Sequence, residues 1–205
     1  LTRAMASGKR ILDVLDEEID LKEDPEATGE IKAGEIEFRN VSFKYKKEGK
    51  KYVLSNVSFH IEPGQTVGII GGTGSAKSTL VQLIPRLYDV TEGEILIDQI
   101  PVKQYPLKHL REAVAMVLQK NTLFTGTIAD NLRWGKEDAS EEELMKACRM
   151  ACADEFLLQM KDGLSSQVEQ GGVNLSGGQK QRLCIARALL KRPRILILDD
   201  STSAV

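Results

Sequence analysis

Cysteine is scarce in this chain: Cys148, Cys152 and Cys184 are the only three in 205 residues. That number makes no disulfide framework and suits a protein of a reducing compartment. Cys148 and Cys152 stand four apart on a predicted helix, a spacing that a pair of metal ligands would share. Histidine is scarcer still, and His60 and His109 are not near the cysteines in sequence. No metal site of that kind is supported, and the expected role of the cysteines is that of small buried residues. An excess of one charge is also missing. The formal net charge of −2 carries no global basic signal for nucleic acid or a membrane surface. No stretch is long and apolar enough to span a bilayer, and none reads as a signal peptide. What the chain does have is 41% hydrophobic residues, enough to bury one sizeable core.

Those residues are patterned. Ile11, Leu12, Val14, Leu15 and Ile19 form a stripe among charges, which predicts a helix over residues 1 to about 19. Residues 22–30 are polar with Pro25 and Gly29, and predict a linker. From 34 to about 66 the apolar residues alternate (Ile36, Phe38, Val41, Phe43, then Val53, Leu54, Val57, Phe59, Ile61), as strands with one buried face do. Glu94–Asp98 adds another strand. From about Thr127 to Leu190 the pattern is mostly helical, with Ser140-Glu141-Glu142-Glu143 opening one helix with acidic residues at its positive end.

Gly71-Gly72-Thr73-Gly74-Ser75-Ala76-Lys77-Ser78-Thr79 is close to the phosphate-binding pattern G-x-x-x-x-G-K-[ST]. In that pattern backbone amides cradle phosphates, the lysine (Lys77) reaches the outer ones, and the hydroxyl (Ser78) takes Mg²⁺. The flanks agree. Residues 65–70 are a short apolar run suited to a buried strand. Leu80, Val81, Leu83, Ile84 and Leu87 then recur at helical spacing, so a helix begins near Lys77 and offers its N-terminal amides to an anion. The departure is Ala76, where the pattern has glycine. A β-carbon there is costly if the backbone must take a positive φ, and harmless if the conformation is ordinary. Both remain open from sequence.

Arg194–Asp200 is a leucine and β-branched run ending in two carboxylates. It reads as a buried parallel strand, and its C-terminal end is where α/β sheets place ligands. Asp199 is the expected partner of a Mg²⁺ shell. Between the two motifs lies Leu175-Ser176-Gly177-Gly178-Gln179, where Ser176 would cap a helix running to Leu190.

With these motifs in this order, the chain resembles the nucleotide-binding domain of ATP-binding cassette (ABC) exporters over residues 34 to 205. Val41-Ser42-Phe43-Lys44-Tyr45 resembles the segment carrying the adenine-stacking aromatic, here Tyr45. Val117-Leu118-Gln119-Lys120 resembles the Q-loop, and residues 122–128 with Asn131–Gly135 are similar to the stretch that follows it. Ser201–Val205 matches the start of the D-loop, and LSGGQ is the family signature.

The resemblance implies an α/β fold. It would have a P-loop NTPase RecA-like core, an antiparallel β subdomain (about 34–66) and an α-helical signature subdomain (about 122–190). Residues 1–33 would connect it to a transmembrane domain. ATP and Mg²⁺ are the implied ligands. Nucleotide would be bound by Tyr45, Gly72 to Thr79 and Gln119, and metal by Ser78, Gln119 and Asp199, with Lys77, Gln119 and Asp200 as catalytic residues. Leu175 to Gln179 would act in trans, on ATP held by a second cassette. The implied partners are that second cassette and the transmembrane domains of the same transporter, at the cytoplasmic face of a membrane, with no nucleic acid. The direction of transport follows from the resemblance alone.

Asp200 departs from the family, which has glutamate there to polarise water. A carboxylate one methylene shorter sits about 1 Å from where it is needed, a displacement that can cost ~10²-fold in rate. With LSGGQ intact beside altered Ala76 and Asp200, the expectation is a weakly hydrolytic site of the chain's own. Its signature loop would then serve a competent site on a different partner chain. The sequence ends at Val205, before the segment where the family carries its switch histidine, as a truncated chain would. Two other readings share the motifs: a non-catalytic regulatory nucleotide-binding module, and a soluble ABC ATPase of DNA repair or translation.

Overall fold

A computed structural model of the chain describes residues 2–17, 20–46, 49 and 51–199. In chain order the elements begin with α1 (Thr2–Leu15), β1 (Ile36–Phe43), β2 (Leu54–Ile61), α2 (Lys77–Leu83), β3 (Glu92–Ile97) and β4 (Ile100–Pro101). There follow α3 (Leu107–Ala113), β5 (Val114–Val117), β6 (Gly126–Thr127), α4 (Ile128–Arg133) and α5 (Glu141–Met150). The last are α6 (Asp154–Leu157), β7 (Gln167–Val168), α7 (Gly177–Leu190) and β8 (Ile195–Leu198).

The alternating segments form an antiparallel sheet of order β2-β1-β3-β4. Ile36 pairs with Ile61 on one side and Ile97 on the other. The register shifts between Phe38 and Val41, where Asn40 takes a left-handed conformation (φ 49) that its short polar side chain tolerates. The shift turns Val41 and Phe43 to the same buried side as Phe38. The sheet packs against Val81, Leu83 and Ile84 at the end of α2, Leu110 of α3, and Ile195 and Ile197 of β8 in one core. β5 and β8 run parallel in register, Val114 opposite Ile195 and Val117 opposite Leu198. A second core joins α4, α5, α6 and α7 to Ala115 and Val117 of β5. The fold is therefore α/β, with an antiparallel sheet on one side of the parallel pair and the helical group on the other.

Residues 65–70 depart from expectation: they form no strand. Val67, Ile69 and Ile70 are exposed, Ile70 almost fully at 99%. The reason is the ladder. A parallel strand is stable when its N–H and C=O groups pair with neighbours, and β8 pairs with β5 only among the described residues. Leu196 and Leu198, on the opposite face of β8 from Ile195 and Ile197, are exposed at 40% and 45%.

The N-terminal helix forms as far as Leu15; the end of the predicted stripe, at Ile19, lies outside the described residues. Its apolar residues Ile11, Leu12, Val14 and Leu15 are all exposed. The following segment is more than a polar linker, because it is strapped to the core. The Arg86 guanidinium donates to the Lys22 carbonyl (2.9 Å). The Leu107 N–H, unpaired at the start of α3, donates to Glu23 Oε1 (2.7 Å). Asp98 accepts the backbone N–H groups of Lys32, Ala33, Gly34 and Glu35 at 2.7–2.9 Å. Burial works against the Asp98 charge, but these donors outweigh it and hold its carboxyl below the ordinary range.

Cys148 lies buried in α5, and burial pushes its thiol up to about 12. Cys152 is not on that helix: it follows the α5 C-terminus with φ 53 and is exposed.

Candidate nucleotide-binding site

The helix expected after the phosphate loop begins at Lys77. Ahead of it the chain turns tightly, with Ser75 N–H donating to the Gly72 carbonyl (3.2 Å) and Gly74 at φ 80. Ala76 takes φ 63, ψ 20, so the left-handed alternative holds. An L-residue there costs roughly 1–2 kcal/mol that glycine would not. Part of this is offset, because the Ala76 methyl packs against the core beside Leu80. Lys77 Nζ donates back to the carbonyls of Gly71 (2.6 Å) and Gly72 (3.2 Å). The ammonium thus rests on the loop whose amides would receive phosphate. A β-carbon on Gly72 or Gly74 would meet nothing within 4 Å, so the loop backbone is open to an incoming group.

Thr79, two residues into α2 and buried, shares a hydrogen bond with Tyr45 (Oη···Oγ1, 2.8 Å). Tyr45 itself is about half exposed and meets Phe43 and Tyr88 nearly at right angles. Tyr45 and the end of the P-loop segment, distant in sequence, are thus joined directly by a hydrogen bond.

Gln119 lies exposed two residues beyond the end of β5, and Asp199 one residue beyond the end of β8. The Asp199 N–H donates to the Val117 carbonyl (2.9 Å), so Gln119 and Asp199 both follow the C-terminal ends of the paired strands β5 and β8. Asp200 and the segment from Ser201 to Val205 lie outside the described residues. After Gln119 the chain is clamped by Asn131, whose amide takes the Phe124 N–H and donates to the Phe124 and Thr127 carbonyls. Phe124 stacks on Trp134 at 4.6 Å.

Ser176 caps α7 as expected. Its Oγ accepts the Gln179 N–H (3.2 Å) while Gln179 Oε1 accepts the Ser176 N–H (2.9 Å), a reciprocal box. A serine hydroxyl that accepts in this way can also donate. Gly177 faces open space, and Leu175 anchors the turn in the helical core. Just upstream, Asn174 holds the loop by accepting from Glu169 N–H and donating to the Gln167 carbonyl. The contact of Asn174 with Gln167 and Glu169, like that of Tyr88 with Tyr45, has no signal in the sequence, because only the fold brings these groups together.

The fold and these loops define a P-loop cassette with an antiparallel sheet and a helical subdomain presenting a capped glycine turn. A sequence profile of the ABC transporter family matches residues 54–203, and the chain belongs to that family. It is 50% identical over 204 residues to YfiB of Bacillus subtilis (strain 168), an uncharacterized ABC transporter ATP-binding protein, covering 100% of this chain and 35% of that one. It is 44% identical over 210 residues to an ATP-dependent lipid A-core flippase of Pseudomonas fluorescens (strain Pf0-1), covering 100% and 34%. The structure of a bacterial Atm1-family ABC exporter with ATP bound superposes with a TM-score of 0.90 at 34% identity, covering 100% of this chain and 36% of that one. The chain thus spans about a third of the length of the curated relatives it matches. Among the described residues no helix is long and apolar enough to cross a membrane.

Proposed function

We propose that the chain is the ATP-hydrolysing cassette of a membrane exporter. It binds ATP at a joint between two cassettes and couples binding and hydrolysis to movement of transmembrane domains at the cytoplasmic face. The observation that carries this reading is the N-terminus of α7. A capping serine hydroxyl and an open glycine turn at a helix N-terminus are suited to an anion, yet the chain has a separate P-loop for its own phosphates.

Tyr45 stacks the base, and the P-loop amides from Gly72 to Thr79 hold the phosphates. Lys77 leaves the Gly71 and Gly72 carbonyls to pair with the outer phosphates, exchanging neutral acceptors for charged ones. Ser78, Gln119 and Asp199 offer a hydroxyl, an amide and a carboxylate, the hard oxygen donors that suit Mg²⁺. That ion, when bound, would neutralise charge developing on the outer phosphates. Leu175 to Gln179 close over the ATP of a second cassette, so nucleotide holds the pair together. Differential affinity for the closed pair is what shifts the transmembrane domains. Residues 1–33 serve as the connector to those domains, and the strap through Lys22, Glu23 and Asp98 gives it a mechanical hold on the cassette.

Asp200 makes the chain's own site weakly hydrolytic, with the competent site formed on a different partner chain. The test is ATP binding and MgATP turnover of the full-length protein across protein concentrations, with Lys77→Ala as blank. Binding without turnover, with turnover restored by a partner chain, is the expected result. Turnover rising more steeply than linearly with concentration means that the chain pairs with itself and that Asp200 suffices. Absence of ATP binding overturns the whole reading.

A further inference from the structure

We propose that Tyr88 is a positioning residue for nucleotide base: it fixes the plane of Tyr45. This rests on the reading of Tyr45 as the base-stacking aromatic. Tyr45 is held from three directions. Phe43 of β1 meets its ring at 4.9 Å and 81°. Thr79 of α2 holds its hydroxyl. Tyr88, beyond the end of α2, meets the ring at 5.2 Å and 89°, and closes the triangle by touching Phe43 at 5.6 Å.

Two of these supports are core: Phe43 and Thr79 are 2% and 6% exposed. Tyr88 is 41% exposed, so filling the interior does not account for its ring. Its mounting is rigid nonetheless. The Leu87 N–H donates to the Gln82 carbonyl, and the Thr91 N–H to the Ser42 carbonyl. Arg86, almost fully buried, grips Asp89 on the other side of Tyr88 through two hydrogen bonds. The Lys44 N–H, next to Tyr45, donates to Thr91 Oγ1 (3.0 Å). The segment bearing Tyr88 is therefore tied to both α2 and the strand end that bears Tyr45. A stacking platform binds best when its rotamer is set before the ligand arrives. An edge contact between aromatic rings is worth enough to select one ring orientation over a free one.

The test is equilibrium binding of ATP and of inorganic tripolyphosphate, which has no base, to the full-length protein. Tyr88→Leu is expected to weaken ATP about 2- to 10-fold, the range an aromatic pair supplies, and to leave tripolyphosphate unchanged. Tyr88→Phe should restore ATP affinity. In a Tyr45→Ala background, Tyr88→Leu should have no further effect, because Tyr88 acts through Tyr45. Equal weakening of both ligands, or a Tyr88→Leu effect that persists without Tyr45, overturns the proposal. So does an unchanged ATP affinity in Tyr88→Leu while Tyr45→Ala weakens it. If Tyr45→Ala itself leaves ATP affinity unchanged, the base-stacking reading falls, and this inference falls with it.

Discussion

Tyr45 Oη and Thr79 Oγ1 lie 2.8 Å apart, joining the chain just beyond β1 to the helix behind the phosphate loop. Thr79 is buried, so its hydroxyl depends on this partner. Tyr45→Phe should destabilise the nucleotide-free protein by about 1 kcal/mol, the net worth of such a bond. Denaturant unfolding of the two proteins measures the difference.

Lys77 holds two carbonyls of its own loop, and both are neutral acceptors. A phosphate oxygen offers a charged bond of about 1.5–3 kcal/mol. Lys77→Ala should therefore weaken ATP binding by roughly 10- to 100-fold, with little change in unfolding free energy. Calorimetric titration beside a thermal melt separates the two.

Ala76 sits in the left-handed region. Ala76→Gly removes that strain and returns some entropy to the unfolded chain, while losing a partly buried methyl group. The balance should be a stabilisation of up to about 1 kcal/mol, read as a higher denaturant midpoint at unchanged slope.

Gly135, two residues beyond the end of α4, lies against the backbone of α7. A β-carbon there would lie 2.1 Å from the Arg187 carbonyl oxygen and 3.2 Å from Leu190 Cβ, and the backbone of a 14-residue helix cannot yield as a side-chain tip can. Gly135→Ala should cost about 1–3 kcal/mol through overpacking. Arg187 also donates to the Thr122 carbonyl (3.2 Å), so amide exchange after Gln119 should quicken as well.

Asp98 predicts the acid side of the stability curve. Its folded pKa lies below its unfolded one. The stability it contributes is thus fully present above the unfolded value of about 3.9 and is lost as pH falls through the lower, folded value. Asp98→Asn should cost about 1–3 kcal/mol at neutral pH and flatten the loss below about pH 4. Unfolding free energies from pH 3 to 7 check both.

The parts of the site legible in the sequence are those built from residues close together in the chain. Ser140 with Glu143, and Ser176 with Gln179, close their capping boxes over three residues. The start of α2 at Lys77 follows from a glycine turn meeting helical periodicity. Residues 65–70 were not legible in the same way. Their apolar content suits a strand, but a strand depends on a paired neighbour, and composition carries no information about that.

By itself the sequence determined that this protein has a P-loop, a separate capped signature turn, an acidic strand end and alternating strands for an antiparallel sheet. Each rests on propensities acting within a turn or a strand. Only the tertiary structure decided that Ala76 is left-handed, that Tyr45 is held by Thr79 and Tyr88, and that the linker is strapped down. Asp98 captures amides 63 to 66 residues away, and such pairings follow from which surfaces pack, a property of the whole chain.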